Sequence, residues 1–198
     1  MTAITTVDLN HLVGQEVGTS TLLKELTRGA MAVIFIAYQR TLKRQIAVKI
    51  LPKSMLTPAT AELFQREAEM AAGLSHPNII QVYEVGGTSE FLYFTMQLIQ
   101  GKPLSYYISL AQQRVIPSKR FIELKTTLGL FIAVLDGLAY AHSQEILHRD
   151  VKPSNILIEK HTRRPIIMDF GISRTIWIKP RNWPRRGNSP TSKKNTNA

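Results

Sequence analysis

The last third of the sequence contains two carboxylates and an amide whose spacing suits metal and phosphate chemistry. In the octapeptide 148–155, HRDVKPSN, four residues separate Asp150 from Asn155. A loop of that length lets both side chains converge on one point, where Asp150 can accept a proton and Asn155 can ligate a metal ion. Asp169 follows an apolar run and opens an Asp-Phe-Gly tripeptide. Alone this tripeptide indicates an ordinary turn, but its spacing from the octapeptide favours a second metal ligand.

A lysine in an apolar segment gives a third signal. Lys49 lies within IAVKIL, residues 46–51. An ammonium group in an apolar strand requires a partner, which phosphates and a helix carboxylate would supply. Glu67 is the candidate carboxylate, and Glu69 is the alternative. Without the other motifs, Lys49 is better interpreted as an edge-strand lysine whose ammonium reaches water.

The elements that must position these side chains are predicted from hydrophobic spacing and helix-start signals. Thr57 and Pro58 are typical of an N-cap and a first helical position. The pattern indicates an α+β fold, with a sheet and one helix followed by a mostly helical part. The predicted strands lie within 22–51 (chiefly 33–38 and 45–51) and at 79–85, 91–98, 156–158 and 166–168, and the predicted helices are 59–74 and 121–143.

One long helix is predicted from large side chains that recur at alternating steps of three and four. We expect the face that they form to be buried, although a second lobe lacking further helices would leave it uncovered. These residues are Phe121, Leu124, Leu128, Phe131, Leu135, Leu138 and His142.

Composition limits the classes of function. The chain contains no cysteine, which excludes disulfides and thiol chemistry and fits a cytoplasmic location. The net charge is +11, and six of the positive charges lie in 175–198, which has no acidic residue. A basic tail can bind nucleic acid or lipid, but a solvated end is the favoured interpretation, so no nucleic acid partner is expected. No apolar run predicts a membrane span.

The motifs together resemble the protein kinase superfamily, most closely the bacterial serine/threonine kinases of the eukaryotic type. The resemblance extends from about residue 22 to 174 and follows the family order. Its segments are IAVKIL (46–51), FQREAEMAAGLSHPNII (64–80), YFTMQLIQGKPL (93–104), GLAYAHSQEILHRDVKPSNILI (137–158) and IMDFGISR (167–174).

The resemblance implies an N-terminal lobe with an antiparallel sheet and one helix, a helical C-terminal lobe, and transfer of the γ-phosphoryl group of ATP to a protein Ser/Thr hydroxyl with Mg²⁺. It implies that Asp150 is the base, that Lys152 stabilises the transferred phosphoryl group, and that Asn155 and Asp169 hold the metal. Lys49 and Glu67 would orient the phosphates. The adenine would lie at a hinge of residues 96–99 with Met96 as gatekeeper. Its expected contacts are Ile34, Ala47, Met96, Leu98 and Leu157.

Two departures from the family pattern affect these expectations. In the glycine-rich loop only the middle glycine, Gly29, is present, with Thr27 at the first glycine position. Only 27 residues follow Gly171, so we expect an incomplete helical lobe and a truncated or frame-shifted coding sequence. The expected division is a leader of no clear structure (1–21), the N-terminal lobe (22–98), a partial C-terminal lobe (99–174) and a basic tail (175–198). A nucleotide-binding, pseudokinase-like module is the alternative function.

Overall fold

Two antiparallel sheets and three α-helices make up the part of the chain that the computed structural model describes, residues 9–29, 32–116 and 121–170. The predicted tail at 175–198 lies outside these residues. The strands are β1 (Glu16–Val17), β2 (Ser20–Arg28), β3 (Val33–Gln39), β4 (Arg44–Pro52), β5 (Val82–Gly87), β6 (Phe91–Met96), β7 (Gly101–Pro103), β8 (Ile156–Glu159) and β9 (Pro165–Ile167). The helices are α1 (Pro58–Ala72), α2 (Leu104–Gln112) and α3 (Leu124–Ser143).

The larger sheet has six strands in the order β1-β2-β3-β4-β6-β5, and each neighbouring pair is antiparallel. Alternate residues of β4 enter two different core clusters because side chains alternate across a strand. The even-numbered residues of 46–51 pack on one face, whereas Ala47 and Leu51 pack on the face that α1 covers. Lys49 lies between these two and shares their face. The strand period therefore directs its ammonium group towards α1.

The segment before β2 is structured. A 3-10 helix spans Asn10–Leu12, and Leu9, Leu12 and Val17 are buried in the sheet core. The prediction that residues 1–21 have no clear structure is therefore wrong for 9–21. A single helical turn and a two-residue strand are too short to produce a recognisable hydrophobic period.

Helix α1 confirms the predicted start signal. Thr57 adopts an extended backbone, and its Oγ1 accepts a hydrogen bond from the Thr60 amide at 3.1 Å. The Thr60 side chain in turn accepts a bond from the Thr57 amide, which completes a capping box. Phe64, Ala68 and Ala71 are the buried residues of the helix and lie on one face. This face packs against the sheet and fixes the rotation of α1.

Two loops differ from the predictions. The strand predicted at 79–85 begins only at Val82, because Ile79 instead forms an isolated bridge with Ile167. At its other end this strand extends beyond the predicted limit, because Gly86 and Gly87 are the last residues of β5. The short strand β7 was not predicted.

The second lobe combines α2 and α3 with a sheet in the order β7-β8-β9. This arrangement confirms the predicted α+β fold in two lobes, and the described part of the second lobe contains the helices α2 and α3. Backbone hydrogen bonds join β9 to the loop between α1 and β5: Ile80 N–H donates to the Ile167 carbonyl at 2.9 Å, and Ile167 N–H donates to the Asn78 carbonyl at 2.8 Å. The side-chain amide of Asn78 also donates a hydrogen bond, from Nδ2 to the Pro165 carbonyl at 2.8 Å. Main-chain groups, together with the Asn78 side chain, thus connect β9 to the loop that leads into β5.

Helix α3 presents a different face to the core from the one predicted. Its buried residues are Val134, Gly137 and Ala141, with Leu130 and Leu138 half-buried beside them. The predicted face is largely exposed: the fractional exposure is 71% at Leu124, 53% at Leu128, 61% at Phe131 and 59% at Leu135. Phe121 precedes the helix and is 75% exposed. The expectation that this face is buried in the core is therefore wrong. The second expectation, that a lobe with few helices leaves the face uncovered, agrees with the described residues.

The length and composition of α3 also meet the criterion for a membrane span, with 20 residues and a mean hydropathy of 1.4. One such helix is weak evidence for a span, so this property does not contradict the prediction of no span. Helix α3 packs against β9 through its small buried face, and 17% of the apolar window is buried within the described residues.

Candidate active site

Three separate elements bring one lysine and two carboxylates together. Lys49, in the middle of β4, places its Nζ 2.6 Å from Oε1 of Glu67 on α1 and 3.2 Å from Oδ1 of Asp169, two residues after β9. The side chains of Lys49 and Glu67 are only 15% and 18% exposed, whereas Asp169 is 44% exposed. Glu69 instead accepts a hydrogen bond from Gln65 on the helix surface. The carboxylate that pairs with Lys49 is therefore that of Glu67, not the alternative.

The ion pair perturbs both titrating groups. Burial acts to lower the pKa of Lys49, but the carboxylates of Glu67 and Asp169 outweigh it and raise that pKa above its usual value. Burial raises the pKa of Glu67, and the attraction of Lys49 offsets only part of that rise. Lys49 is therefore a fixed cation at neutral pH.

The catalytic-loop candidates form a second polar group. Lys152 Nζ donates to Oδ2 of Asp150 at 2.6 Å, and Nδ2 of Asn155 donates to the same oxygen at 3.1 Å and to the Asp150 carbonyl at 3.0 Å. The hydrogen bond from Lys152, followed by that from Asn155, lowers the pKa of the Asp150 carboxyl. Asp150 is thus an ionised carboxylate and is able to accept a hydrogen bond from a hydroxyl group.

The backbone of Met168 joins the catalytic loop to Asp169. Its carbonyl accepts a hydrogen bond from Nε2 of His148 at 2.8 Å, and its amide donates to the Asn155 carbonyl at 2.9 Å. Nδ1 of His148 lies 3.3 Å from the Asp150 amide, which donates to it. These two bonds require a neutral imidazole with its proton on Nε2. Burial agrees, because it lowers the pKa of His148.

Buried packing of Phe170 anchors the segment that carries Asp169. Phe170 is fully buried, and its ring centroid lies 4.7 Å from that of His148. Asp169 itself has a φ of 51°, in the left-handed region that non-glycine residues rarely adopt. Buried packing at Phe170 and hydrogen bonding at Met168 hold this conformation on either side. Neither His148 nor Phe170 was predicted as a site residue, although their places within the two motifs were a usable signal.

The residues predicted to ligate a metal fit Mg²⁺ by their chemistry. Asp169 offers a half-exposed carboxylate. Asn155 directs its amide nitrogen to Asp150, and its Oδ1, which accepts a long hydrogen bond of 3.4 Å from Ser154 Oγ, is the atom that could ligate a cation. No cluster of three His, Cys, Asp or Glu side chains occurs in the described ranges. Mg²⁺ does not require one, because it is commonly held by one or two protein oxygens together with water and substrate phosphates.

The residues predicted to contact adenine share one apolar cluster. Ala47 and Met96 are buried members and pair across β4 and β6. Ile34, Leu98 and Leu157 are partly buried and pack against the same cluster. All five therefore share one apolar cluster, and Ile34 lies opposite Lys49 in the pairing of β3 with β4.

The glycine-loop candidates lie beside this cluster, because Thr27 pairs with Ile34 across β2 and β3. Thr27 lies near the end of β2, and Gly29 follows the strand; both are exposed. The Gly29 amide donates a hydrogen bond to the Ala32 carbonyl at 2.8 Å, and this bond closes the connection between β2 and β3. Residues 30 and 31 lie outside the described ranges. The predicted role of Thr27 and Gly29 in phosphate binding stays a prediction.

Most of the chain matches a known protein family. Residues 20–189 match the protein kinase domain family. The chain is 32% identical over 164 residues to serine/threonine-protein kinase PknD of Protochlamydia amoebophila, covering 80% of this chain and 17% of that protein. It is 33% identical over 164 residues to serine/threonine-protein kinase PrkC of Bacillus subtilis, covering 82% of this chain and 24% of that protein. The chain thus spans a quarter or less of these relatives.

A solved structure extends the likeness to three dimensions. The kinase domain of PknI from Mycobacterium tuberculosis superposes with a TM-score of 0.67 at 28% identity, covering 81% of this chain and 61% of that one. The family match includes both polar groups and the apolar cluster between them. The chain therefore belongs to the protein kinase domain family.

Proposed function

We propose that this chain carries the site of an ATP-dependent serine/threonine protein kinase, which transfers the γ-phosphoryl group of ATP to a protein Ser or Thr hydroxyl. The convergence of Lys49, Glu67 and Asp169 from three elements is the observation that carries the proposal. A buried ion pair often adds no more stability than apolar packing would, but a lysine held by two carboxylates suits the orientation of a polyphosphate. Relatives named serine/threonine-protein kinases support the choice of acceptor.

Each polar side chain has a defined task in this proposal. Asp150 accepts the proton of the attacking hydroxyl, and its lowered pKa keeps it ionised for that purpose. Lys152, now 2.6 Å from Asp150, shifts to the transferring phosphoryl group and offsets its charge. Lys49 orients the phosphates, and Glu67 fixes Lys49. Asn155 and Asp169 would hold Mg²⁺, which neutralises phosphate charge when it is bound.

The adenine ring would lie against the apolar cluster of Ile34, Ala47, Met96, Leu98 and Leu157. Apolar contact above and below a flat ring supplies affinity, and polar groups at the pocket edge fix its orientation. The substituted glycine-loop position at Thr27 adds a Cβ where the family has none, so phosphate binding depends more heavily on Lys49.

Phosphotransfer assays with the full chain, labelled ATP, Mg²⁺ and a generic Ser/Thr substrate test the proposal. Asp150→Asn keeps the shape of the side chain but removes the base, so we expect transfer to fall by roughly a hundredfold or more. Asp136→Asn, the same change on α3, is the matched control and should transfer normally. Thermal-shift titration with ATP and Mg²⁺ should give similar nucleotide affinity for all three proteins.

Equal transfer by the unaltered chain and Asp150→Asn would contradict the assignment of the base. Binding of ATP without any transfer by the unaltered chain would instead favour the pseudokinase-like alternative. No thermal shift at all would contradict both.

A further inference from the structure

A cavity between α2 and the beginning of α3 lies apart from the candidate active site. Its volume is about 260 Å³, and no residue predicted for the nucleotide site lines it. Ile158 of β8 lines the cavity, whereas its neighbour Leu157 packs against the adenine cluster on the other side of the strand. The two sites therefore share a strand but open on different surfaces.

The floor of the cavity is apolar and its size restricts what can enter. Leu104, Tyr107 and Leu110 of α2 line one side, and Leu130 of α3 lines the other. Pockets for drug-sized ligands or cofactors typically enclose roughly 300–1,000 Å³. A smaller cavity suits one or two bulky aliphatic side chains, as when a peptide anchors a hydrophobic residue in a groove.

Two arginines and one glutamate stand at the rim. Arg114 ends the α2 side, Glu123 precedes α3, and Arg163 comes from the turn between β8 and β9. The guanidinium of Arg163 is held in place, because its Cζ lies 4.9 Å from the Tyr107 ring centroid and its Nη1 donates to the Tyr107 hydroxyl at 3.3 Å. A positive charge is thus fixed above an apolar floor.

The adjoining turn strengthens the positive charge of this rim. Residues 159–164 contain Lys160, Arg163 and Arg164 but one acidic residue, Glu159. Glu159 already interacts with Arg164, with 3.5 Å between Nη2 and Oε2, and it accepts a hydrogen bond from Thr162. Lys160 is exposed. A ligand that approaches the cavity therefore meets more positive than negative charge.

We propose that this cavity is a docking site for an acidic protein segment that carries bulky aliphatic side chains. The aliphatic side chains enter between α2 and α3, and acidic residues on either side of them meet the rim arginines. Charge complementarity at a rim speeds association, while the buried apolar anchor supplies the affinity. This binding is additional to phosphoryl transfer and requires no nucleotide. Its success or failure is therefore separate from that of the proposed kinase activity.

Fluorescence polarisation with the full chain and a labelled synthetic peptide tests the site. The peptide consists of glutamates with leucines at positions i, i+3 and i+7, so that it can present one apolar helix face. Leu110→Asp should weaken binding by about tenfold or more, because it places a charge in the apolar floor. Arg163→Glu should weaken it by roughly three- to tenfold, and added salt should reduce the difference.

Two matched variants separate the site from general effects. Leu42→Asp makes the same change at a 61% exposed leucine in the β3–β4 turn. Arg44→Glu disrupts a second arginine–tyrosine stack, 4.1 Å over Tyr83, on the other sheet. Both should bind the peptide normally, and circular dichroism of all four variants should show native helix content.

Three results would overturn the docking site. Equal binding of a peptide with lysine in place of glutamate would remove the role of the rim. Equal binding of a peptide with serine in place of leucine would remove the role of the floor. Binding of phosphatidylserine vesicles, with no binding of the glutamate–leucine peptide, would assign the surface to a membrane instead.

Discussion

Replacing Lys49 by methionine should destabilise the protein in a way that depends on pH. Methionine is similar in length but removes the cation that lies 2.6 Å from Oε1 of Glu67 and 3.2 Å from Oδ1 of Asp169. Removing one partner of a buried ion pair typically costs about 3–5 kcal/mol. Asp169 is 44% exposed and remains solvated, so most of the loss arises at Glu67. We therefore expect a loss near the lower end, about 3 kcal/mol at pH 8.

The pH dependence follows from the direction of the Glu67 shift. Burial already raises the pKa of Glu67, and loss of the Lys49 cation raises it further. A carboxyl whose pKa is higher in the folded than in the unfolded state stabilises the fold at low pH, and this contribution is lost as pH rises through the folded pKa. The destabilisation by Lys49→Met should therefore be smaller at pH 5 than at pH 8, by about 1 kcal/mol.

Urea unfolding followed by circular dichroism at both pH values measures these quantities. Glu67→Gln in the Lys49→Met background should restore part of the stability at pH 8, because it removes the unpaired charge. Lys53→Met, on an exposed lysine just after β4, is the matched control and should stay within about 0.5 kcal/mol of the parent. If Lys49→Met lowers the free energy of unfolding by less than about 0.5 kcal/mol at both pH values, the claim that the ion pair is buried and coupled is refuted.

Two further predictions concern backbone positions. Gly101→Ala should lower the free energy of unfolding by about 2 kcal/mol or more in urea unfolding, because its new Cβ would lie 2.2 Å from the Ile158 carbonyl oxygen and separate β7 from β8. Gly129→Ala on α3 meets open space and should instead stabilise the protein by up to about 1 kcal/mol. Equal effects of the two substitutions would contradict this packing. Thr57→Ala should cost about 1 kcal/mol by removing the cap bond to Thr60, with faster hydrogen exchange in the first turn of α1, whereas an unchanged exchange rate would argue against the capping box.

The polar site was largely predictable from the sequence because its residues occur in short motifs with fixed spacing. Asp150 and Asn155 lie in one loop, so their approach is a local property of the chain. The pairing of Lys49 with Glu67 is not local: the sequence offered both Glu67 and Glu69 as the carboxylate, and only the structure shows that Glu67 lies 2.6 Å from the lysine. The roles of these residues in phosphoryl transfer stay predictions.

The orientation of α3 could not be predicted by the same reasoning. Apolar residues lie on almost every side of this helix, so the spacing of its large side chains supports more than one face. The buried face is instead selected by small residues: a Cβ at Gly137 would lie 3.1 Å from Cδ1 of Ile167, and Ala141 is fully buried. Close approach of the backbone to β9 determines the packing, and a search for large apolar residues does not detect it.

The junction between the two sheets has a consequence for how the molecule tolerates substitution. The loop after α1 and strand β9 exchange hydrogen bonds through the backbone groups of Asn78, Ile80 and Ile167. Every amino acid except proline supplies the same amide and carbonyl groups. Sequence drift at these positions can therefore alter the filling of the core while the link between α1 and the segment bearing Asp169 persists. The main-chain part of this link therefore tolerates most substitutions at Ile80 and Ile167, whereas a change at Asn78 would also remove its side-chain hydrogen bond to the Pro165 carbonyl.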